Sequence, residues 1–477
     1  MIFLAFFLLF SDPASGIEEQ LKKIINVFTV ASSQAADPVT PERAFYDGAI
    51  PGMLRRLDPH SVFFDPTQFD QLQQMEKSER KGFGSVVSVL PGRVIVLQAL
   101  PGTPSAKSGL LPGDEILAIN GYALDRLEFD QLVQLLSASR QRDARLIIRR
   151  PGNARLLPFL LTPELVDSPS VDRAWMLSAG VGYVHVASFD AQTGRDVKLA
   201  IEKLGGEKMK GLVLDLRDNP GGVVPAAIAT ASLFLKPGQR ILTVRGRSVK
   251  GDQADVPATA TPYTFPLAVL VNGKSASASE IVTGALQDHD RAVVIGEPSY
   301  GKGLVQSVYP LSSGAGLALT TAFYYTPSGR SIQKPLAAGQ LDSAEIAPPG
   351  DFHTDSGRRV MGGGGITPDV VVHPDAVTRL RAVLDSSGSF VQFAAPYARD
   401  RKITPDFAVT PDLLDQFEGY LSEHDIQPPV SEWLADRPWI ESRLKQEIFN
   451  LALGVAKGDE VEAQRDPMVR AALKQLR

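Results

Sequence analysis

At 477 residues the chain is too long for a single hydrophobic core, so two or more domains are expected. Hydrophobic residues make up 44% and charged residues 22%, and a net charge of −5 without a long basic run argues against nucleic acid as the main partner. The lack of cysteine excludes a thiol nucleophile, a cysteine-linked lipid anchor and a thiolate metal site, and leaves the redox compartment open.

The N-terminus, MIFLAFFLLFSDPASG, carries an apolar run from Ile2 to Phe10 followed by small residues at Ala14, Ser15 and Gly16. This is the pattern of a secretory apolar region and cleavage site, and it predicts an exported, periplasmic or otherwise extracytoplasmic protein with residues 1–16 as a signal segment. The usual basic start is missing, and the alternative is a buried or membrane-resting segment, which implies a membrane-proximal location. No later stretch approaches the roughly 18 apolar residues that a span requires. Residues 17–79 read as helical: IEEQLKKIINVF is amphipathic, PERAFYDGAIPGMLRRLDP has helical spacing, and Pro59 is expected to stop that helix.

Residues 80–165 change character. The short runs SVVSVL, VIVLQAL, EILAIN and ARLIIRR are strand-like and separated by Pro-Gly turns, with one helical segment, EFDQLVQLLSAS, among them. The outline is a small, partly open β-barrel. Residues 166–375 are expected to form the core domain; between 172 and 310 strands and helices alternate, and GLVLDL and LAVLVN are apolar on both faces, as in a sheet covered by helices on each side. RILTVRG reads as a further member of that series and GLALTTAFYYT as an added strand. Residues 376–477 carry separate helical patterns broken by Pro-rich turns, a C-terminal helical extension.

Chemistry concentrates in NGKSASASEIVTGALQDH, which follows the apolar run LAVLV and opens a helix. A serine at a strand-to-helix turn exposes its hydroxyl, and the helix N-terminus favours nearby negative charge. Ser277 with Glu280 also fits a capping box, in which the side chains only satisfy backbone donors. A serine nucleophile needs a base. Of the six histidines none sits in a triad pattern; His289 reads as a solvated histidine at the end of the serine helix. Lys302, in IGEPSYGKGLVQ, follows one strand later between Gly301 and Gly303, which permit close backbone approach. The stretch partly fits a phosphate-binding loop, but Gly303 stands where that loop needs Ser or Thr for Mg²⁺. As a base, a lysine must lose about 3 pKa units, roughly 4 kcal/mol, by burial away from carboxylates. Val293, Val294, Ile295, Leu304 and Val305 are the residues expected to build that pocket.

SASASEI followed by GEPSYGKGLVQ resembles the carboxyl-terminal processing (tail-specific) serine peptidases. The resemblance implies Ser277 as nucleophile, Lys302 as base and Gln306 as the residue that orients the lysine. It assigns supporting roles to Glu280 and Asp288, the latter about three turns along the helix and out of reach of Ser277. DLRDNPGG resembles the family's oxyanion turn, implying backbone donors from Ala278 and from Gly221 or Gly222, with Gly221 slightly preferred. AIPGMLRRLDPHSVFFDP, YYTPSGRSIQ and GGGGITPDVVV extend the likeness over about residues 40–375. Residues 376–477 match nothing in the family pattern.

Residues 80–165 resemble a PDZ domain inserted before the core, with Gly82, Phe83 and Gly84 at its carboxylate-binding loop. SVVSVL would be the edge strand that takes a peptide, and FDQLVQLL the wall of the groove. The fold class is therefore a mixed α/β protease core with an inserted PDZ-type β-barrel and N- and C-terminal helical extensions. The expected function is a serine endopeptidase acting on proteins or peptides with free C-termini, as a homo-oligomer, with no metal or cofactor and no nucleic acid partner. The rivals are a non-catalytic PDZ scaffold and a phosphate-loop nucleotide hydrolase.

Overall fold

The computed structural model describes residues 13–76, 79–247, 250–335 and 350–476, so most of the expected signal segment lies outside the described residues. The chain divides into two units, the smaller built from the N-terminal region to Gln71 and from Val305–Thr321, the larger from most of the rest.

In the smaller unit, helix α1 (Pro13–Gln34) leaves Ile17, Leu21 and Ile24 exposed on one stripe. Lys22 and Lys23 pair with Glu18 and Glu19 one turn earlier, at 3.0 and 2.9 Å. The following helical stretch ends at Leu54, earlier than the stop expected at Pro59. The reason is Asp58, whose carboxylate accepts from the amides of His60 (2.7 Å) and Ser61 (2.8 Å) and so closes a turn that competes with further helix. Strand β1 (Val62–Phe64) then pairs antiparallel with Gly316–Ala318.

The larger unit begins with the β-barrel. Its strands β2 (Ser85–Leu90), β3 (Arg93–Ala99) and β4 (Glu115–Ile119) are followed by helix α2 (Phe129–Ser139), then β5 (Ala144–Arg149) and β6 (Leu157–Leu161). They form an antiparallel sheet in the order β2-β3-β4-β5-β6, which leaves β2 as an edge. Val94, Val96, Ile116, Leu132, Leu146 and Ile148 make its core.

The second sheet is the frame of the site. Its elements are β7 (Val171–Ser178), β8 (Val181–Val186), helix α3 (Thr193–Leu204), β9 (Gly211–Asp215), helix α4 (Val224–Ala231), a separate strand β10 (Arg240–Arg245), β11 (Leu267–Val271), helix α5 (Ala278–Asp288), β12 (Val293–Gly296) and β13 (Val370–Val371). The order is β7-β8-β9-β11-β12-β13; β7 is antiparallel and the rest are parallel. Every residue of β9 and β11 is buried, which is why both read as unbroken apolar runs. The antiparallel edge β7, VDRAWMLS, escapes sequence reading because its outward face is half polar. β10 is outside this sheet: it pairs with Lys250–Asp255 and with Phe323–Tyr325, so RILTVRG and the end of GLALTTAFYYT belong to a different layer from the one expected.

The C-terminal region comprises α6 (Arg379–Ser387), α7 (Ser389–Arg399), α8 (Pro411–Glu423), α9 (Val430–Ala452), α10 (Val455–Arg465) and α11 (Pro467–Gln475). Phe390, Phe417, Trp433, Ile440 and Leu444 give it a core of its own. Its end returns to the central sheet. Met468, Val469, Ala472 and Leu476 pack against Tyr183, Val213, Ala268, Leu270 and Ile295, covering the face opposite α3 and α5. No helix of the described residues is long and apolar enough to cross a membrane.

Candidate active site

Strand β11 delivers the chain to Asn272, and α5 starts six residues later. At the junction Ser277 has φ 54° and ψ −112°, a conformation that an L-residue adopts at a cost of about 1–3 kcal/mol and keeps only when its surroundings hold it. The neighbouring serines supply part of that hold. Ser275 donates from its hydroxyl to the Leu216 carbonyl (2.7 Å) and Ser279 to the Asn219 carbonyl (3.1 Å), and both are fully buried. Ser277 alone of the three is half-buried.

Glu280 supplies the rest. It is fully buried, and its carboxyl collects four donors: the amides of Ser277 (2.8 Å), Gly301 (2.7 Å) and Lys302 (2.9 Å), and the Ser299 hydroxyl (2.5 Å). Burial raises its pKa above the ordinary carboxyl value, against the opposing pull of these hydrogen bonds. The capping box with Ser277 is thus present, but the same carboxyl also gathers the lysine loop, which a cap alone would not do. Buried Tyr324 adds a second clasp: its hydroxyl bonds the carbonyls of Ser277 (3.1 Å) and Lys302 (2.8 Å).

Lys302 is half-buried, between two glycines with little room. A Cβ on Gly301, where φ is 89°, would stand 2.6 Å from the Lys334 side chain, and the Gly303 amide bonds the Gln333 side chain at 2.9 Å. These amides are therefore spent on protein acceptors rather than turned toward a phosphate, and the loop leads into a strand, Leu304–Pro310, rather than a helix. Both facts remove the nucleotide-binding reading. Of the apolar residues expected around the lysine, Val293 and Ile295 belong instead to the layer beneath α11.

The DLRDNPGG turn lies against the serine. The Asn219 side chain donates to the Val186 carbonyl (2.6 Å), and the Asn219 backbone carbonyl accepts from the Ala276 amide (3.0 Å). A Cβ on Gly221 (φ 98°) would stand 2.7 Å from the Ala276 oxygen, 2.8 Å from the Ser277 Cβ and 2.9 Å from the Ala278 nitrogen, so only glycine fits. The slight preference for Gly221 as an oxyanion donor gives way here, because its N–H is committed to Asn219 Oδ1 at 2.8 Å. The bridge from Phe189 to Gly222 runs through Phe189 N to Gly221 O and Val223 N to Phe189 O, both 2.9 Å, and leaves the Gly222 N–H out. Ala278, at the first helical position, likewise stands outside the helix ladder.

Asp288 sits at the far end of α5, where it forms a buried ion pair with Arg330 (2.7 Å) and accepts from the Ser328 amide (2.9 Å). Arg330 also donates to Gln287 (2.8 Å) and to the Met361 carbonyl (2.8 Å). His289 is not solvated, as expected from its place at a helix end, but nearly buried, bonded to Asp355 (2.7 Å) and to the Arg240 carbonyl (2.7 Å). Sequence reasoning missed Ser299, Tyr324 and Arg330; the signal was present in EPSYGKG and YYTPSGR as polar residues inside apolar strands and turns. Gln306 lies in the smaller unit, where its amide donates to the His60 carbonyl at 2.6 Å. The LDPHS turn is held for that contact by Asp58, which also accepts from the Ser61 hydroxyl (2.6 Å).

In the barrel, a cavity of about 320 Å³ lies between β2 and α2, lined by Gly82, Phe83, Gly84, Val87, Val133 and Arg140 among others. The Phe83 carbonyl accepts from Ser105 (2.9 Å) and the Gly84 carbonyl from Leu100 (2.8 Å), which fixes the loop while Phe83 packs on the barrel core.

Residues 180–339 match Peptidase family S41, and residues 95–150 match a PDZ domain. A carboxy-terminal-processing protease of Bartonella bacilliformis is 36% identical over 66% of this chain and 73% of its own length. A carboxyl-terminal-processing protease of a Synechocystis species is 34% identical over 66% and 77%. Among solved structures, a photosystem II D1 C-terminal processing protease is similar at 27% identity and a TM-score of 0.42, covering 76% of this chain and 94% of that one.

Proposed function

Because the chain belongs to peptidase family S41, the carboxyl-terminal processing serine proteases with a PDZ domain, we propose that its chemistry runs on Ser277 with Lys302 as general base. The observation that carries this reading is the Glu280 carboxyl, which binds the backbone of the serine and of the lysine loop at once. A lysine works as a base only as the free amine. In that form Lys302 takes the Ser277 proton as Oγ attacks the scissile carbonyl. The oxyanion is held by the amides of Ala278 and Gly222. The protonated amine then gives its proton to the leaving amine, and a water activated by Lys302 releases the acyl group. Gln306 is assigned to orienting Lys302 by its place in the sequence.

The substrates are proteins or peptides with free, apolar C-termini. Their last residues add a strand to the open edge of β2, the terminal carboxylate meets the amides of Phe83 and Gly84, and the last side chain enters the apolar cavity beside Val87 and Val133. Residues 1–16 act as an export signal, which places the protein outside the cytoplasm, and the working form is a homo-oligomer. A fluorophosphonate probe tests the chemistry: it should label the wild type, and labelling should vanish in Ser277→Ala and fall at least 10²-fold in Lys302→Ala. Peptide cleavage by Ser277→Ala at the wild-type rate would overturn the assignment.

A further inference from the structure

Residues 376–477 lie outside both family matches, yet they reach the oxyanion turn. Asp466 stands at the joint between α10 and α11. One of its carboxylate oxygens caps α11, accepting from the amides of Met468 (2.8 Å) and Val469 (3.2 Å). The other accepts from Arg217 Nη1 at 2.5 Å. Arg217 turns its Nε and Nη2 onto Asp215, the last residue of β9, at 2.6–3.0 Å. The guanidinium is thus gripped from two sides, and side-chain exposure is 18% for Arg217 and 19% for Asp466. Arg217 is followed directly by Asp218-Asn219-Pro220-Gly221-Gly222.

The serine side of this turn is tied down by Ser275, by Ser279 and by Asn272, which accepts from the Asp218 amide at 3.0 Å. Its opposite side, at Arg217, is held by Asp215, which also accepts from the Arg217 amide at 3.0 Å, by His185 at the Arg217 carbonyl (3.3 Å), and from the extension by Asp466. The far end of α10 is anchored as well: the Val455 amide bonds Gln98 of β3 at 3.2 Å, and Asp459 pairs with Arg173 of β7 at 3.0 Å. A rigid helix therefore runs from the PDZ-type barrel to the carboxylate that holds Arg217.

Resting on the Ser277 reading above, we propose that Asp466 is a positioning residue: through Arg217 the C-terminal extension sets the register of the oxyanion turn. Small displacements of a donor weaken the transition state far more than the bound substrate.

Asp466→Asn removes the charge but keeps an acceptor suited to the helix cap. It is expected to lower kcat about tenfold with KM within twofold, and to weaken a peptidyl boronate inhibitor by the same factor. Exchange of the Gly221 amide with deuterium should quicken by about tenfold. Arg379→Gln cuts a tie inside the same extension but away from α10, to Glu432 at 3.0 Å, and should leave kcat unchanged. An unchanged kcat in Asp466→Asn, a loss shared equally by Arg379→Gln, or unchanged exchange at Gly221 would each overturn the proposal. If Asp466→Asn does not fold, Arg217→Lys, which keeps the charge but not the two-sided grip, takes its place with the same expectations. If the wild type proves inert, the Ser277 reading has failed, and Gly221 exchange alone decides the role of Asp466.

Discussion

Glu280→Gln is the sharpest probe of the site. The carboxyl receives Ser277 N–H and Lys302 N–H on Oε2, and Ser299 O–H and Gly301 N–H on Oε1. Glutamine best retains the first pair by keeping its oxygen at Oε2. Its NH₂ then occupies the other position, where Ser299 can rotate and accept but the Gly301 amide is left facing a donor. A protonated glutamic acid does not share this defect, since its hydroxyl can donate to Ser299 and still accept from Gly301. One orphaned buried amide costs about 1–3 kcal/mol. The loosened Gly301–Lys302 backbone should reduce acylation by about 10²-fold, the usual penalty for misplacing a reacting group by about an ångström. Stability would be read from the urea midpoint at constant m, and acylation from single-turnover labelling with the fluorophosphonate. The pH dependence follows from burial raising the Glu280 pKa. The stabilisation from its proton is fully present below the ordinary value of 4.5 and is lost as pH rises through the folded value, so the stability gap between wild type and variant narrows over that window. A variant that acylates at the wild-type rate with an unchanged midpoint would show that Glu280 does not hold the two segments together.

Gly221→Ala places a methyl group 2.7–2.9 Å from backbone of the serine turn at φ 98°, and should lower kcat by at least 10²-fold; a wild-type kcat would mean that the turn has room to yield. His185 is nearly buried; burial pulls its pKa down, but the hydrogen bond to Asp172 (2.5 Å) and the negative charges of Asp215 and Asp172 together outweigh it, for a net increase. Its stabilisation is fully present below the ordinary 6.5 and fades as pH rises through the higher folded value, so thermal melts of wild type and His185→Asn should converge above that range. Val133→Glu puts a charge in the barrel cavity and should weaken an apolar C-terminal peptide at least tenfold by fluorescence anisotropy, with no change in the melting of the protein; equal affinity would place the peptide elsewhere.

The elements around the site were legible where a local pattern was strong. The apolar runs of β9 and β11, the amphipathic α2 and α5 and the Pro-Gly turns of the barrel each carry their own periodicity. β7 was not legible, because an edge strand with one half-polar face looks like a loop. Nor was the separate layer of β10: a strand pattern says that a segment pairs, but not with which partner. Asp288 and His289 look alike in sequence, two polar residues ending a helix. Only the approach of Arg330 and Asp355, more than forty residues on, makes one a buried ion pair and the other a bonded histidine rather than a solvated one.

What the residue order determined by itself was chemical type and local shape: a serine at a helix start, a lysine between glycines, and a small barrel with an exposed edge. These depend on backbone sterics and side-chain periodicity over a few positions, which operate before the chain has folded. The tertiary structure alone decided which of two adjacent glycine amides is committed, which two of three serines are buried in hydrogen bonds to backbone carbonyls, and that the last helix closes the sheet beneath the site. Those outcomes depend on which distant donors and acceptors are brought within about 3 Å of one another, and hydrogen bonds at that range are selected by packing, not by sequence distance.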